Sequence, residues 1–345
     1  MTGKHPTPLK FLAPAWFALV MGLCGLSLAW HRASGAMGEL AQLLGVTLGL
    51  LALAVFAVLG LFTLLRIRRH PQAWAEDLKH PVRHAFVAAI PIGLLLLVTV
   101  GVASLGPRAW LLPLWWLASL TLLGVTLWVL ARWWRPKDGL TWPVLTPALF
   151  IPIVGNVLVP LAGVPLGQPE WSAAQFGIGL LFWPLVLVLL LVRIAVSGPW
   201  PERLLPAGFI LVAPPAVIGL AVLQLGAPPM LAWLAWGMAL FSLLWAATLL
   251  PRIAKLPFGV PHWAMSFPLA AFAALTLRLA ELRALASGHA GPMQLLGVVA
   301  LAVASLVITG LALATVRGLR DGSLLAPEPL AAIQPVAADG APLSR

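Results

Sequence analysis

FGVPHWAMSFPLAAFAALTL, residues 258–277, holds no Asp, Glu, Lys or Arg, yet carries Pro268 in its interior. As a helix, a stretch of that length crosses a hydrocarbon layer of about 30 Å. An internal proline disrupts a soluble helix, whereas in a membrane span neighbouring helices re-satisfy the freed backbone groups. The stretch therefore reads as a transmembrane helix packed among others. The rest of the chain agrees: of 345 residues, 61% are AVILMFWYC and 9% are charged, against roughly 25% charged in soluble domains. Mean hydropathy is +1.00. A water-soluble fold is excluded, and an all-α integral membrane protein is expected.

Working outward, apolar runs recur near residues 11–30, 40–65, 84–105, 110–131, 143–163, 174–196, 204–226, 229–250, 259–280 and 293–316. These predict ten transmembrane helices in one domain, 1–320. Residues 321–345, rich in Ala and Pro, read as a disordered cytoplasmic tail. An even number of spans puts both termini on one side. With the termini inside, the outer segments hold Arg32, Arg108, Arg278 and Arg283, and the other seventeen of the 21 Lys and Arg residues face the cytoplasm. That bias follows the positive-inside rule. The expectation is a multi-pass protein of the cytoplasmic (inner) membrane with both termini cytoplasmic.

The net charge of +11 thus reads as topology and headgroup contact, with no nucleic-acid partner. The cluster Arg66, Arg68, Arg69, Lys79 and Arg83 is read the same way. Cys24 is the single cysteine, so neither an intrachain disulfide nor a Cys-based metal site is expected. The first run reads as a signal anchor, because nine further runs follow. Trp30, Trp110, Trp133, Trp142, Trp171 and Trp200 lie near run ends, as interfacial anchors do.

Prolines are distributed unevenly. Pro14, Pro91, Pro152, Pro214 with Pro215, and Pro268 fall in the first, third, fifth, seventh and ninth runs. Among the even runs only Pro184 is internal, while Pro113, Pro229 and Pro292 sit at entrances, where a missing N–H costs nothing. The spacing, about sixty residues, suggests five helical hairpins, each with one proline-bearing and one straighter helix. A mid-membrane proline frees a carbonyl that hydrocarbon cannot satisfy, so these helices are expected to kink and face inward. Five inward helices surround an axis, and a ring around an axis is a pore; the plainer alternative is that the prolines only bend packed helices. The straight helices then face lipid, the second with a Gly45-x-x-x-Gly49 packing notch.

Five segments in order carry a further signal: PAWFALVMGLCGLSLAW from Pro14, HPVRHAFVAAIPIGLLLL from His80, TPALFIPIVGNVLVPLAG from Thr146, LPAGFILVAPPAVIGL from Leu205, and the opening stretch from Phe258. Together they resemble the TehA-type tellurite-resistance, C4-dicarboxylate-transporter and plant slow-anion-channel family. The resemblance implies ten helices as five hairpins with quasi-fivefold symmetry around a central pore, commonly in a homotrimer with one pore per protomer. It also implies a phenylalanine in the ninth helix that occludes the pore. The match Trp263-Ala-x-Ser-Phe-Pro places that gate at Phe267. A phenyl ring excludes water and ions and swings aside by side-chain rotation. Phe17, Phe150 and Phe209 also lie in odd runs, as further constrictions or as packing.

Ion-coupled pumps keep acids at membrane depth, and here only Glu281, beside Arg278 at the outer end of the ninth run, comes near it. Their spacing allows a helical ion pair; the alternative is an entrance charge for anions. A neutral lining suits passive conduction of small inorganic anions, with weakly hydrated nitrate favoured over chloride. His262 at the cytoplasmic start of the ninth run is either interfacial or a tuner of conductance with pH. Asn156 either bonds backbone freed around Pro152 or touches solute, and Ser266 is similar. A carrier for C4-dicarboxylates or tellurite-type oxyanions is the competing reading. Enzyme signatures such as His-Glu-x-x-His and Gly-x-Ser-x-Gly are missing. His80 and His84 read as loop residues, and neither cofactor nor metal is expected.

Overall fold

The computed structural model describes residues 8–135, 141–288 and 291–325. Its helices are α1 (Ala18–Met37), α2 (Glu39–Arg69), α3 (Pro71–Lys79), α4 (Ala89–Leu105), α5 (Leu111–Trp133), α6 (Phe150–Val154), α7 (Pro160–Gly163), α8 (Pro169–Ser197), α9 (Ala213–Gln224), α10 (Pro229–Ala247), α11 (Leu250–Ile253), α12 (Ser266–Ser287) and α13 (Pro292–Arg320). Among the described residues nine helical segments are long and apolar enough to cross a membrane. They match every expected run but the fifth. Of the expected tail, Leu324 folds back, its N–H donating to the Gly318 carbonyl at 3.2 Å; residues 326–345 lie outside the described residues.

The fifth run, Pro147–Gly163, is shorter and broken. A 3-10 turn at Pro147–Leu149, α6, a second 3-10 turn at Gly155–Leu158 and α7 follow one another. Pro147, Pro152 and Pro160 each withhold a ladder donor, so no single α-helix can run through. A further departure is α3, whose nine residues are too few and too polar to register as an apolar run. Ala73 and Asp77 share its buried face.

A 3-10 turn opens each odd run: Pro14–Phe17, Arg83–Ala88, Pro147–Leu149, Glu202–Val212 and Val260–Met265. The even runs begin directly as α-helix. Sequence reasoning put the odd-run prolines at mid-helix kinks, each breaking a ladder bond. Instead, Pro91, Pro152, Pro215 and Pro268 are each third in their α-helices, Pro214 is second in α9, and Pro14 opens its 3-10 turn. The first four N–H groups of a helix have no intrahelical partner, so the missing donor costs nothing there. Backbone upstream is served by i→i+3 bonds, as where the Ser266 N–H reaches the Trp263 carbonyl and the Ala213 N–H reaches that of Ile210.

Packing follows the same division. α1 packs on α4, α4 on the broken fifth run, that run on α9, α9 on α12, and α12 back on α1. The five opening 3-10 turns repeat the circuit at one end. Each odd run also packs against the even run after it. The first, third, seventh and ninth runs are 61–94% buried over their most apolar stretches, against 22–33% for the even runs. Large side chains such as Phe241 on α10 and Leu306 on α13 are 68% and 74% exposed, the surface a bilayer covers. Gly45 and Gly49 of α2 are the packing notch expected of them: a Cβ at Gly45 would lie 2.9 Å from the His31 ring and one at Gly49 2.6 Å from Val100.

Basic residues and tryptophans near the run ends also make contacts within the protein. Arg66 and Arg83 are not only topogenic. Arg66 donates to Asp77 at 2.7 Å and Arg83 lies 3.1 Å from its other oxygen, joining the end of α2 to α3 and the start of the third run. Several of the run-end tryptophans also donate into the protein: Trp30 to Ser305, Trp171 to Ser119, and Trp200 to the Leu145 carbonyl. A buried indole N–H requires an acceptor, and these polar atoms supply one.

Candidate functional site

Where the five odd runs converge they enclose a cavity of about 20 Å³, room for about one water molecule. Every odd run contributes to its wall: Gly25 from α1, Leu96 from α4, Leu161 from α7, Val217 from α9, and Phe267 with Ala271 from α12. The lining carries no charged or polar side chain. A hydrated ion does not fit in it, and a dehydrated one would find no polar partner there.

The position of Phe267 is set by its neighbours. It precedes Pro268 at the 3-10 to α junction and is 8% exposed. α1 approaches α12 through glycines. A Cβ at Gly25 would lie 2.9 Å from Cδ2 of the Phe267 ring, and one at Gly22 would lie 2.3 Å from the Ser266 hydroxyl. Ser266 itself donates to the Trp263 carbonyl at 2.6 Å. Gly25 thus leaves the space that the ring occupies. That relation between two runs far apart in sequence has no local signal.

Other expected residues lie elsewhere. Phe17, Phe150 and Phe209 are buried but do not line the cavity. Phe17 packs edge-on against Phe56 of α2, with ring centroids 5.6 Å apart. His262 starts the ninth run; its Nδ1 is 3.1 Å from the Gly259 carbonyl oxygen and its ring lies against Phe258. Arg278 meets Glu281 at 2.7 Å near the far end of α12.

Asn156 is fully buried away from the cavity. Its amide donates to Thr126 and to the Ile153 carbonyl, both at 2.9 Å, and accepts from Gln175 at 2.7 Å. The carbonyl of Pro152 is taken by Thr126 at 2.6 Å. Gln175 also accepts from Ser119 at 2.5 Å. The network fixes the broken fifth run between α5 and α8, satisfying backbone that hydrocarbon would leave bare. Thr126, Ser119 and Gln175 went unnoticed in the sequence, where each is an isolated polar residue in an apolar run.

Among the described residues no group of three or more His, Cys, Asp or Glu side chains is placed to hold a metal. Comparison with known proteins gives a consistent set of relatives. The SLAC1 profile, described as voltage-dependent anion channel, matches residues 12–316. The tellurite resistance protein TehA homolog of Haemophilus influenzae is 26% identical over 79% of this chain and 82% of its own length. The S-type anion channel SLAH2 of Arabidopsis thaliana is 23% identical over 77% of this chain and 52% of its own. SLAH3 from the same plant is 25% identical over 87% of this chain and 47% of its own.

Proposed function

The chain belongs to the SLAC1 family, whose members are anion channels or transporters and not enzymes, and from that premise we propose that it conducts small monovalent anions passively along the axis where its odd runs meet, with Phe267 as the gate. It is a multi-pass membrane protein. The observation that carries the proposal is the cavity walled by all five odd runs with the Phe267 ring in its wall.

In this reading the broken run Pro147–Gly163 is the tenth crossing. The ten form five hairpins in quasi-fivefold order about the pore, and three protomers assemble with one pore each. Both termini face the cytoplasm of the inner membrane, where the basic residues gather. No acid in the wall holds a cation, and no base traps an anion, so passage is set by the cost of dehydration and nitrate precedes chloride. Ser266, His262 and Asn156 act as supports of the pore helices more than as contacts for solute.

Recording from planar bilayers holding the wild type or Phe267→Ala tests this. The wild type is expected to be nearly silent and the variant to pass large, ohmic anion current with a reversal potential favouring nitrate. Equal currents would leave the ring as packing and favour the carrier cycle for dicarboxylates or oxyanions.

A further inference from the structure

The cavity residues define which face of each helix looks onto the axis, and following those faces outward leads to two arginines. On α1, Gly25 and Leu28 line the cavity, and Arg32 follows seven residues after Gly25, two turns along the same face. On α12, Phe267, Ala271 and Ala274 line it, and Arg278 continues that stripe. At 1.5 Å per residue the two lie about 10 Å beyond Gly25 and about 6 Å beyond Ala274 along their helices. α1 and α12 pack together, and the Arg32 guanidinium is in electrostatic range of both Arg278 and Glu281. Glu281 pairs with Arg278 at 2.7 Å. One carboxylate faces two guanidiniums, so one positive charge is left over. On α9 the stripe Val217 and Leu220 continues to Gln224, which adds a neutral amide at the same level.

We propose that Arg32 and Arg278 form an outer vestibule site that concentrates small anions at the mouth beyond the Phe267 constriction, with Arg32 supplying the uncompensated charge. The inference rests on the pore reading above. Placed outside the constriction, the charges attract anions without holding them inside the narrow part, which keeps exit fast. Glu281 tempers the attraction by neutralising Arg278. A cleft of one sign raises the local concentration of counter-ions, and the effect fades as salt screens it.

The test uses the Phe267→Ala background, so that current is measurable. Adding Arg32→Gln is expected to lower anion conductance about threefold in about 10 mM salt, where the Debye length is about 30 Å, and to leave it unchanged in about 1 M salt. Arg32→Lys should restore it. A second variant, Arg32→Cys, is modified while the channel conducts: a cationic thiol reagent applied from the outer side should raise low-salt current and an anionic one depress it. Cys24 is buried and does not compete. Because modification begins from a conducting channel, a folding defect cannot imitate the result. Silence of Phe267→Ala itself would overturn the pore reading and this inference with it. Conducting Phe267→Ala whose current ignores the charge at position 32 would overturn this inference alone.

Discussion

The odd and even runs share a composition and differ in nearly everything else. Both are long and apolar, and hydropathy does not separate them: the second span averages 2.7 and the third 2.6. Yet the third opens with a 3-10 turn, carries proline in its first α turn and is mostly buried, while the second starts as α-helix and shows most of its side chains to lipid. Glycines follow the contacts: those at 22, 25, 155 and 219 of odd runs are pressed against neighbours, whereas even runs carry both kinds, Gly45, Gly49, Gly179 and Gly297 at contacts and Gly60, Gly237 and Gly310 facing open space. Lipid tails are as apolar as leucine, so burial between membrane helices is driven by close packing, and small residues at the contact decide which faces meet. Apolarity says that a segment crosses; proline says which crossings lie inside, and glycine says which faces meet.

The sharpest test of that division pairs two glycine substitutions. A methyl at Gly25 meets the Phe267 ring at 2.9 Å and Ala270 at 3.1 Å. The ring is the free end of a side chain and yields first, so Gly25→Ala is expected to raise resting anion current, roughly tenfold or more if the apolar plug is what dewets the axis. Gly310→Ala on α13 meets nothing within 4 Å and should leave current unchanged. A silent Gly25→Ala beside a normal Gly310→Ala would separate the inner packing from gating.

A second pairing concerns stability. Leu275 of α12 is fully buried, pressed onto Gly219 of α9, while Leu306 of α13 is 74% exposed. Leu275→Ala should cost about 2–5 kcal/mol through the cavity it leaves, and Leu306→Ala within about 0.5 kcal/mol of nothing. Denaturant unfolding in detergent measures both. Similar losses would show that the two classes differ in position but not in energy.

Nine of the ten runs were legible because a span is a local matter of length and apolarity, and the alternation of proline was legible because it is a count along the chain. Phe267 was singled out through a short motif, and its ring stands in the wall of the cavity between the odd runs. What stayed hidden depends on partners or on phase. Pro91 and Pro268 could be assigned to odd runs, but not to the third position of an α-helix, since that requires knowing where the 3-10 turn ends. Asp77 sits eleven residues from Arg66 and six from Arg83, and only the turn into α3 brings the three together. Arg32 reads as an outer charge in sequence; that it shares the helical stripe of Gly25, two turns on, takes on meaning once Gly25 is seen against Phe267.

The broken fifth run is the odd member least able to hold itself, and its polar network makes a third test. Gln175→Leu strips Asn156 and Ser119 of a buried partner and should destabilise by about 1–3 kcal/mol. Ser242→Ala on the exposed face of α10, where the hydroxyl bonds only its own helix at 2.8 Å, should lie within about 0.5 kcal/mol of the wild type. Differential hydrogen exchange focused on residues 147–163 would show whether the loss is local. If the two variants unfold alike, the network is not what secures the fifth run.

The smallest effect lies at the entrance to the third run, where an odd run receives its 3-10 turn from a titratable cap. His80 accepts the N–H groups of Val82 and Arg83 at 3.1 and 3.2 Å through Nδ1. Burial first, then the charges of Arg83 and His84, push its pKa down to about 4. The capping nitrogen must be unprotonated, and in the unfolded chain the same imidazole titrates near 6.5. A folded pKa below the unfolded one means that its contribution is complete above about pH 6.5 and is lost as pH falls from there toward 4. Since the ring is only half buried, solvent screening reduces the loss to about 1 kcal/mol or less. His80→Asn keeps an acceptor for the same two N–H groups without titrating. Its melting temperature should therefore fall less than that of the wild type between pH 7 and about pH 4.5. Among the described residues no even run has such a cap, so if the two proteins lose stability in parallel, acid acts elsewhere than at the His80 junction.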